Sequence, residues 1–415
     1  MDQPQAASLP FQPDYAQHPA FKPHIKWNAT FDARVAQASE VMNQLLLRAE
    51  SDLTLKKTSL TDAIGEVNQG LGLVTDLLVS ANQVVNNDFS PFAKRFHHEL
   101  LRVVFDDLAY FDRRNSYVPV INDAHEMGLR NSLAVNGFIH CTLTTDELAG
   151  LQVQVQPYVD ELQRRYKQGQ RGREALSTNQ LDPRSMNYVK ELFARRGLDR
   201  AVSNVRHEPA AAWGFAVEIS PDDNPWWHSR YKDVGLTEPG PATYYHNDES
   251  RDVYKAIIYL GDVTEDLGPF SYVPVSYAME RPRFAWTVSR ATLTTLAAPE
   301  IRSTMTDLDP ARGVFTSQVA RKFFGLLPAA WRLNSHFGFD VVAGTPLANE
   351  IKRNEVALVA PAGQCIVFDG SRLIHRGGLV RKGCRVALQV MFEVPRQNVP
   401  QMFKPWSDKF NLPAM

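Results

Sequence analysis

Within Tyr244-Tyr245-His246-Asn247-Asp248, one imidazole and one carboxylate stand two positions apart. On an extended strand, residues two apart point to the same face, so His246 and Asp248 would sit side by side. His375, far downstream, supplies a third donor. Two imidazoles and one carboxylate leave open positions on octahedral iron, the donor set of non-heme Fe(II) oxygenases. A closed set of four ligands would instead mark a structural metal. The open positions matter because a chelating keto acid and O₂ must both reach the metal. An H-x-D pair alone arises by chance in many surface loops, so its surroundings decide what it means.

Those surroundings are ordered along the chain. Asn136-Gly137-Phe138 precedes the pair, and Gly268-Pro269 and Val273-Pro274-Val275-Ser276 follow it. A second block reads Gly363-Gln364, Val367-Phe368-Asp369-Gly370, His375-Arg376-Gly377-Gly378 and Arg385-Val386-Ala387-Leu388. Over residues 130–395 these parts resemble the phytanoyl-CoA dioxygenase-like (PhyH) family of Fe(II)/2-oxoglutarate-dependent oxygenases. Residues 1–129 lie outside the resemblance.

The resemblance implies an α+β fold. Its core would be a double-stranded β-helix (jelly-roll, cupin-like), with flanking helices and an N-terminal helical extension. It implies Fe(II) with 2-oxoglutarate and O₂ as cosubstrates, and oxidation of a C–H bond, by hydroxylation first of all, with release of succinate and CO₂. His246, Asp248 and His375 match the iron ligands, and Arg385 matches the arginine that pairs with the distal carboxylate of 2-oxoglutarate. A guanidinium suits that role because its planar fork of donors meets a carboxylate in bidentate geometry. Alternation supports the assignment: Arg385, Ala387, Gln389 and Met391 share one face, and Val386, Leu388, Val390 and Phe392 the other.

Two details bear on the chemistry. Some family members carry a Ser or Thr hydroxyl two residues after the distal His, where this chain has Gly377. A second donor must then come from elsewhere, with Lys255, Tyr259 and Tyr244 as candidates. Related halogenases replace the carboxylate ligand by a small residue, and Asp248 is present here, which disfavours halogenation.

The elements that must position these residues fall into blocks. Residues 1–30 carry five prolines and read as an extended arm. Residues 31–129 read as a helical extension. Within it Leu60, Ile64, Val67, Leu71, Val74, Leu78, Ala81 and Val85 alternate steps of four and three, a heptad seam for packing on the chain's own body or in a homodimer. A helix is also expected over Phe96–Phe111. The catalytic domain should span 130–395, with strands near 213–219, 244–260, 356–359, 365–368 and 385–392, a helix after Thr144, and an exposed polar loop over 167–179. An insertion over about 278–355 is the natural lid, and 396–415 is a tail.

With 415 residues, a net charge of −1 and three cysteines, the chain has neither the basic excess of a nucleic-acid binder nor a disulfide framework. No apolar run reaches the roughly 18 residues of a membrane span. A cytoplasmic protein without nucleic-acid or membrane partners is expected, acting on a small-molecule or natural-product substrate. An acyl-CoA substrate and a non-catalytic metal-binding scaffold are the alternatives. Elsewhere, His97-His98-Glu99 with Asp106-Asp107 reads as a solvated helix face. Cys365 and Cys384 read as small core residues, and His207 and His336 as structural histidines. Arg206 and Arg230 read as surface charge, and Trp226-Trp227-His228 as a pocket wall or loop packing.

Overall fold

The computed structural model describes residues 27–84, 90–114, 117–169, 174–222, 245, 247, 253–278, 284, 287, 288, 291, 328, 331, 346–378 and 380–393. The chain divides into two compact units. One is formed mainly by residues 119–279 and 341–395, the other by residues up to 118 together with 280–340.

The first unit is a mixed helix-and-sheet body in which every strand pairing is antiparallel. Its strands are β1 (Phe138–Thr142), β2 (Glu174–Ser177), β3 (Ala211–Pro221), β4 (Tyr254–Tyr259), β5 (Ser271–Val273), β6 (Val356–Ala357), β7 (Gln364–Asp369), β8 (Ile374–Arg376) and β9 (Cys384–Glu393). Six form one sheet in the order β1-β7-β4-β9-β3-β2, and three form a second in the order β6-β5-β8. β2 was not expected: the polar stretch 167–179 contains an edge strand pairing Glu174 with Ile219. Polar residues tolerate this because an edge strand is only half covered.

One face of the large sheet is strongly apolar. Val217, Ile219, Ala256, Ile258, Val367, Leu388 and Val390 pack there against helices spanning Thr145–Lys167, Pro183–Arg195 and Leu198–Arg206. The alternation expected for β9 therefore holds, with Leu388, Val390 and Phe392 turned to the helices. The first of these helices begins with the expected cap, a reciprocal box between Thr144 and Glu147. The opposite face meets the small sheet through Phe270, Tyr272, Ile366 and Phe368, and through Tyr259, Val263 and Ala387. The interior between the sheets is thus narrow and aromatic-rich.

The second unit is helical. Its helices are α1 (Ala29–Thr54), α2 (Leu60–Val84) and α3 (Ser90–Arg114). Asn28 caps α1 by accepting from the Phe31 N–H at 2.8 Å. Val35, Met42, Leu46 and Leu53 form its buried stripe. Of the expected α2 seam, Ile64, Val67, Leu71 and Val74 are buried in the same core as α1 and α3. A Cβ on Gly70 would run into Leu45 and Met42, whereas one on Gly72 would meet nothing. Gly70 thus permits the close approach of α1 and α2 despite its cost in helix propensity.

Residues 280–340 join this unit and its core. Phe284, Val288, Ala291 and Trp331 are buried among the three helices. The Phe284 N–H donates to Asn43 at 2.6 Å and the Trp331 indole donates to Ser39 at 2.9 Å. These four residues, from the stretch expected to be an insertion, share a hydrophobic core with the N-terminal helices.

One expectation about α3 is corrected. Glu99, Asp106 and Asp107 are 6%, 7% and 9% exposed, so they do not form a solvated face. Residues 99–110 are buried all round, and Glu99 accepts from the Arg102 Nε–H at 2.8 Å. A buried ion pair keeps the charge in the interior, which a sequence pattern reads as a wet face. Among the described residues, no helix is long and apolar enough to cross a membrane.

Candidate active site

His375 sits in the middle of the three-residue β8, opposite Tyr272 of β5, and is 4% exposed. Its Nδ1 lies 2.8 Å from the carbonyl oxygen of Leu373. A carbonyl can only accept, so Nδ1 carries a proton and donates it to Leu373. A hydrogen bond of this kind at the far nitrogen is what orients a metal-ligating histidine. The ring is flanked by Phe368 at 4.9 Å and Phe270 at 5.7 Å between centroids.

The turn motifs of the sequence hold this strand in place. Ser276, the last residue of Val273-Pro274-Val275-Ser276, donates to the Val273 carbonyl at 2.7 Å and accepts from the Ile374 N–H at 2.8 Å. Asp369 accepts from the Ser371 N–H and hydroxyl and from the Arg372 N–H, which shapes the loop into β8. Gly378 packs against the backbone of Gly268 and Pro269, so the Gly-Pro turn touches the strand exit where no Cβ would fit.

Arg385 lies near the start of β9, opposite Ser220 of β3. It shares the Ala387 side of the strand, the side turned to the small sheet. Its Nη2 is 3.5 Å from the Ser220 hydroxyl, a long contact, and no carboxylate among the described residues pairs with it. Burial pulls its pKa below the ordinary guanidinium value, with Tyr259 and Cys384 acting in the other direction. The guanidinium is half-buried with one distant hydroxyl beside it, and its planar fork of donors suits an anion.

Tyr259 stands beside this group, but its hydroxyl is committed. It donates to the Leu358 carbonyl at 3.0 Å and accepts from the Phe270 N–H at 2.9 Å, tying β4 to the small-sheet side. Burial raises its pKa, so the phenol stays neutral. Lys255 is brought to the opposite end of β4, in register with Phe368 and Met391. Four residues of strand separate it from Tyr259, roughly 13 Å at about 3.3 Å per residue. Ser220 is the hydroxyl beside Arg385 that sequence reasoning did not single out. Its place follows only from the β3–β9 register.

His246, Asp248 and Tyr244 lie outside the described residues, as do Trp226-Trp227-His228, Arg230 and His336. Their immediate neighbours are described: Tyr245 is 2% exposed and Asn247 is fully buried. Among the described residues no three His, Cys, Asp or Glu side chains cluster as a metal site.

Arg206, expected at the surface, is 2% exposed. It lies 3.8 Å from Glu208 and over the Tyr254 ring at 5.7 Å. His207 is the left-handed C-cap of its helix. Cys365 is buried opposite Cys141 on β1, and all three cysteines are free thiols. Their mutual hydrogen bond lowers the Cys141 pKa and raises that of Cys365.

No model of a known family matches the chain, and no curated protein matches it. Among solved structures, the chain is similar to the epimerase SnoN in complex with Fe3+, α-ketoglutarate and nogalamycin RO. The identity is 14%, over 66% of this chain and 85% of that one, with a TM-score of 0.37. It is also similar to EctD from S. alaskensis, at 13% identity over 66% and 80% of the two chains, with a TM-score of 0.36. HygX from Streptomyces hygroscopicus, with nickel and 2-oxoglutarate bound, gives 14% identity over 66% and 88%, with a TM-score of 0.32. At these scores none of the superpositions assigns a chemistry to this chain.

Proposed function

We propose that this chain is an Fe(II)- and 2-oxoglutarate-dependent oxygenase that hydroxylates a C–H bond of a small-molecule or natural-product substrate. Arg385 is the observation that carries the reading. It is a half-buried cation on the strand side turned to the small sheet, with the Ser220 hydroxyl at 3.5 Å and no carboxylate partner among the described residues. The donor set fits the metal. His375 has the proton of Nδ1 held by the Leu373 carbonyl, and Nε2 is the nitrogen that would meet the metal. His246 and Asp248 supply the other imidazole and the carboxylate.

When bound, iron with 2-oxoglutarate and O₂ would supply the oxidising power to cleave an unactivated C–H bond, with succinate and CO₂ as coproducts. The chain's own residues then have separable tasks. His375 donates an Nε2 lone pair in a fixed ring orientation. Arg385 anchors the distal carboxylate through its fork of donors, with Ser220 beside it. Phe270 and Phe368 flank the imidazole and keep water from it. Tyr259 acts through geometry: it holds the Phe270 backbone and so the aromatic wall. In this reading the two antiparallel sheets are the halves of a double-stranded β-helix, and the three free thiols suit a reducing cytoplasm.

The test is anaerobic addition of Fe(II) and 2-oxoglutarate to the purified protein. The reading expects a weak visible charge-transfer band in the wild type that is lost in Arg385→Met at the same cosubstrate concentration. Absence of a band in the wild type, together with no 2-oxoglutarate-dependent rise in melting temperature, would sink it.

A further inference from the structure

Two of the proposed ligands have neighbours in sequence that meet on a single carboxylate. Tyr245 directly precedes His246, and Arg376 directly follows His375. Glu355, which leads into β6, accepts from Arg376 Nε at 2.6 Å and Nη2 at 2.7 Å, and from the Tyr245 hydroxyl at 2.7 Å. The Arg376 guanidinium also lies over the Tyr245 ring, 4.1 Å from its centroid. Tyr245 is 2% exposed and Arg376 5%. Three charged or polar groups are thus closed into one buried cluster, in which the carboxylate receives a bidentate fork and a phenol together.

The placement is specific. On the β8 strand His375 and Arg376 point to opposite faces, so the cluster grips the strand from the side away from the imidazole. Consecutive Cα atoms are about 3.8 Å apart, so a tie at 245 and 376 fixes each chain within one residue of a proposed ligand. The two segments are otherwise far apart in sequence. The tie between them is supplied by Glu355, a residue in neither motif.

We propose that Glu355 cross-links the segment carrying His246 and Asp248 to the segment carrying His375, and is a positioning residue that sets their separation. The metal consequence rests on the functional reading above; the tie itself does not.

The experiment compares wild type, Glu355→Gln, Tyr245→Phe and a core control, Val189→Ala, as full-length chains. Glu355→Gln keeps the shape but cannot accept from both Arg376 nitrogens and the phenol. In the metal-free protein, hydrogen exchange should speed up in the peptides covering 245–248 and 374–376 in Glu355→Gln, and to a lesser degree in Tyr245→Phe. The core control should leave both peptides protected. Titration with Co(II) should show affinity weakened about 10- to 100-fold in Glu355→Gln. Saturating metal should restore turnover, so that the loss falls on metal affinity and not on kcat.

Unchanged exchange in either peptide overturns the tie. So does a loosening that Val189→Ala reproduces at equal loss of melting temperature. A wild type that takes up no Co(II) or Fe(II) defeats the metal reading alone, because exchange in the metal-free chain still decides whether Glu355 joins the two segments.

Discussion

The His375 end and the Arg385 end of the site are finished to different degrees. Around His375 the described supports are closed: Nδ1 is bonded to Leu373, the strand N–H of Ile374 to Ser276, and the next residue, Arg376, to Glu355. Arg385 has one hydroxyl at 3.5 Å and no carboxylate among the described residues. In the proposed reading the first region is held by the protein itself, and the second takes the cosubstrate carboxylate. Preorganisation fixes a metal ligand in one orientation at no cost when the metal arrives. An unfinished cation gains most when an anion reaches it, which turns its desolvation into affinity.

This contrast can be broken first at His375. In His375→Ala, the charge-transfer band with Fe(II) and 2-oxoglutarate should vanish, and metal-dependent stabilisation with it. Retention of either would mean that His375 holds no metal. Next comes Arg385→Met. The dissociation constant for 2-oxoglutarate should rise about 10- to 100-fold, the value of a lost charge-assisted pair. Metal affinity should stay within a few-fold. The melting temperature of the ligand-free protein should not fall, since the substitution removes a half-buried charge whose described contact is one hydroxyl at 3.5 Å. A clear drop would show that Arg385 is a structural ion and not an unfinished one.

A closed ion pair should behave in the opposite way. Glu126 is held at a pKa of about 2, from an ordinary 4.5, first by Arg200 and further by Asn122, against the opposing effect of burial. Glu126→Gln should therefore cost stability at neutral pH, roughly 1–3 kcal/mol by denaturant titration. A depressed carboxylate pKa stabilises the folded state above the unfolded value. The difference between variant and wild type should thus shrink as pH falls from about 4.5 towards about 2, where the carboxylate protonates. A constant gap across that range would break the account.

The smallest effects belong to the helical unit, where two glycines of α2 repeat the contrast between filled and open positions. Gly72→Ala should raise stability by about 0.5–1 kcal/mol, because the new methyl meets nothing and helix propensity improves. Gly70→Ala should forfeit that gain, because Leu45 and Met42 must move aside. Equal melting temperatures for the two variants would mean that α1 and α2 are looser than they stand.

Much of the scaffold was legible because local patterns repeat. The period of α2, the helix over 96–111, the N-cap chemistry at Thr144 and the alternation of β9 each follow from one short stretch of chain. The helices Pro183–Arg195 and Leu198–Arg206, and the edge strand β2, were not read in advance. The burial of Glu99, Asp106 and Arg206 was missed because charge predicts exposure unless a partner is known, and partners are tertiary. The second donor was sought at Lys255, Tyr259 and Tyr244. Register puts Lys255 at the far end of its strand, the Tyr259 proton is spent on Leu358, and Ser220 stands beside Arg385.

By itself the sequence determined which groups are present and which face of each element they share, since helix and strand periods are local properties of the backbone. Only the tertiary structure decided which of those groups lack a partner. It joined residues 280–340 to the N-terminal helices, placed Ser220 opposite Arg385, and closed Glu355 onto Tyr245 and Arg376. Such contacts link residues up to 292 positions apart, as Ser39 and Trp331 show, and no local pattern encodes them. They are set by burial, which brings together the polar groups that can reach one another.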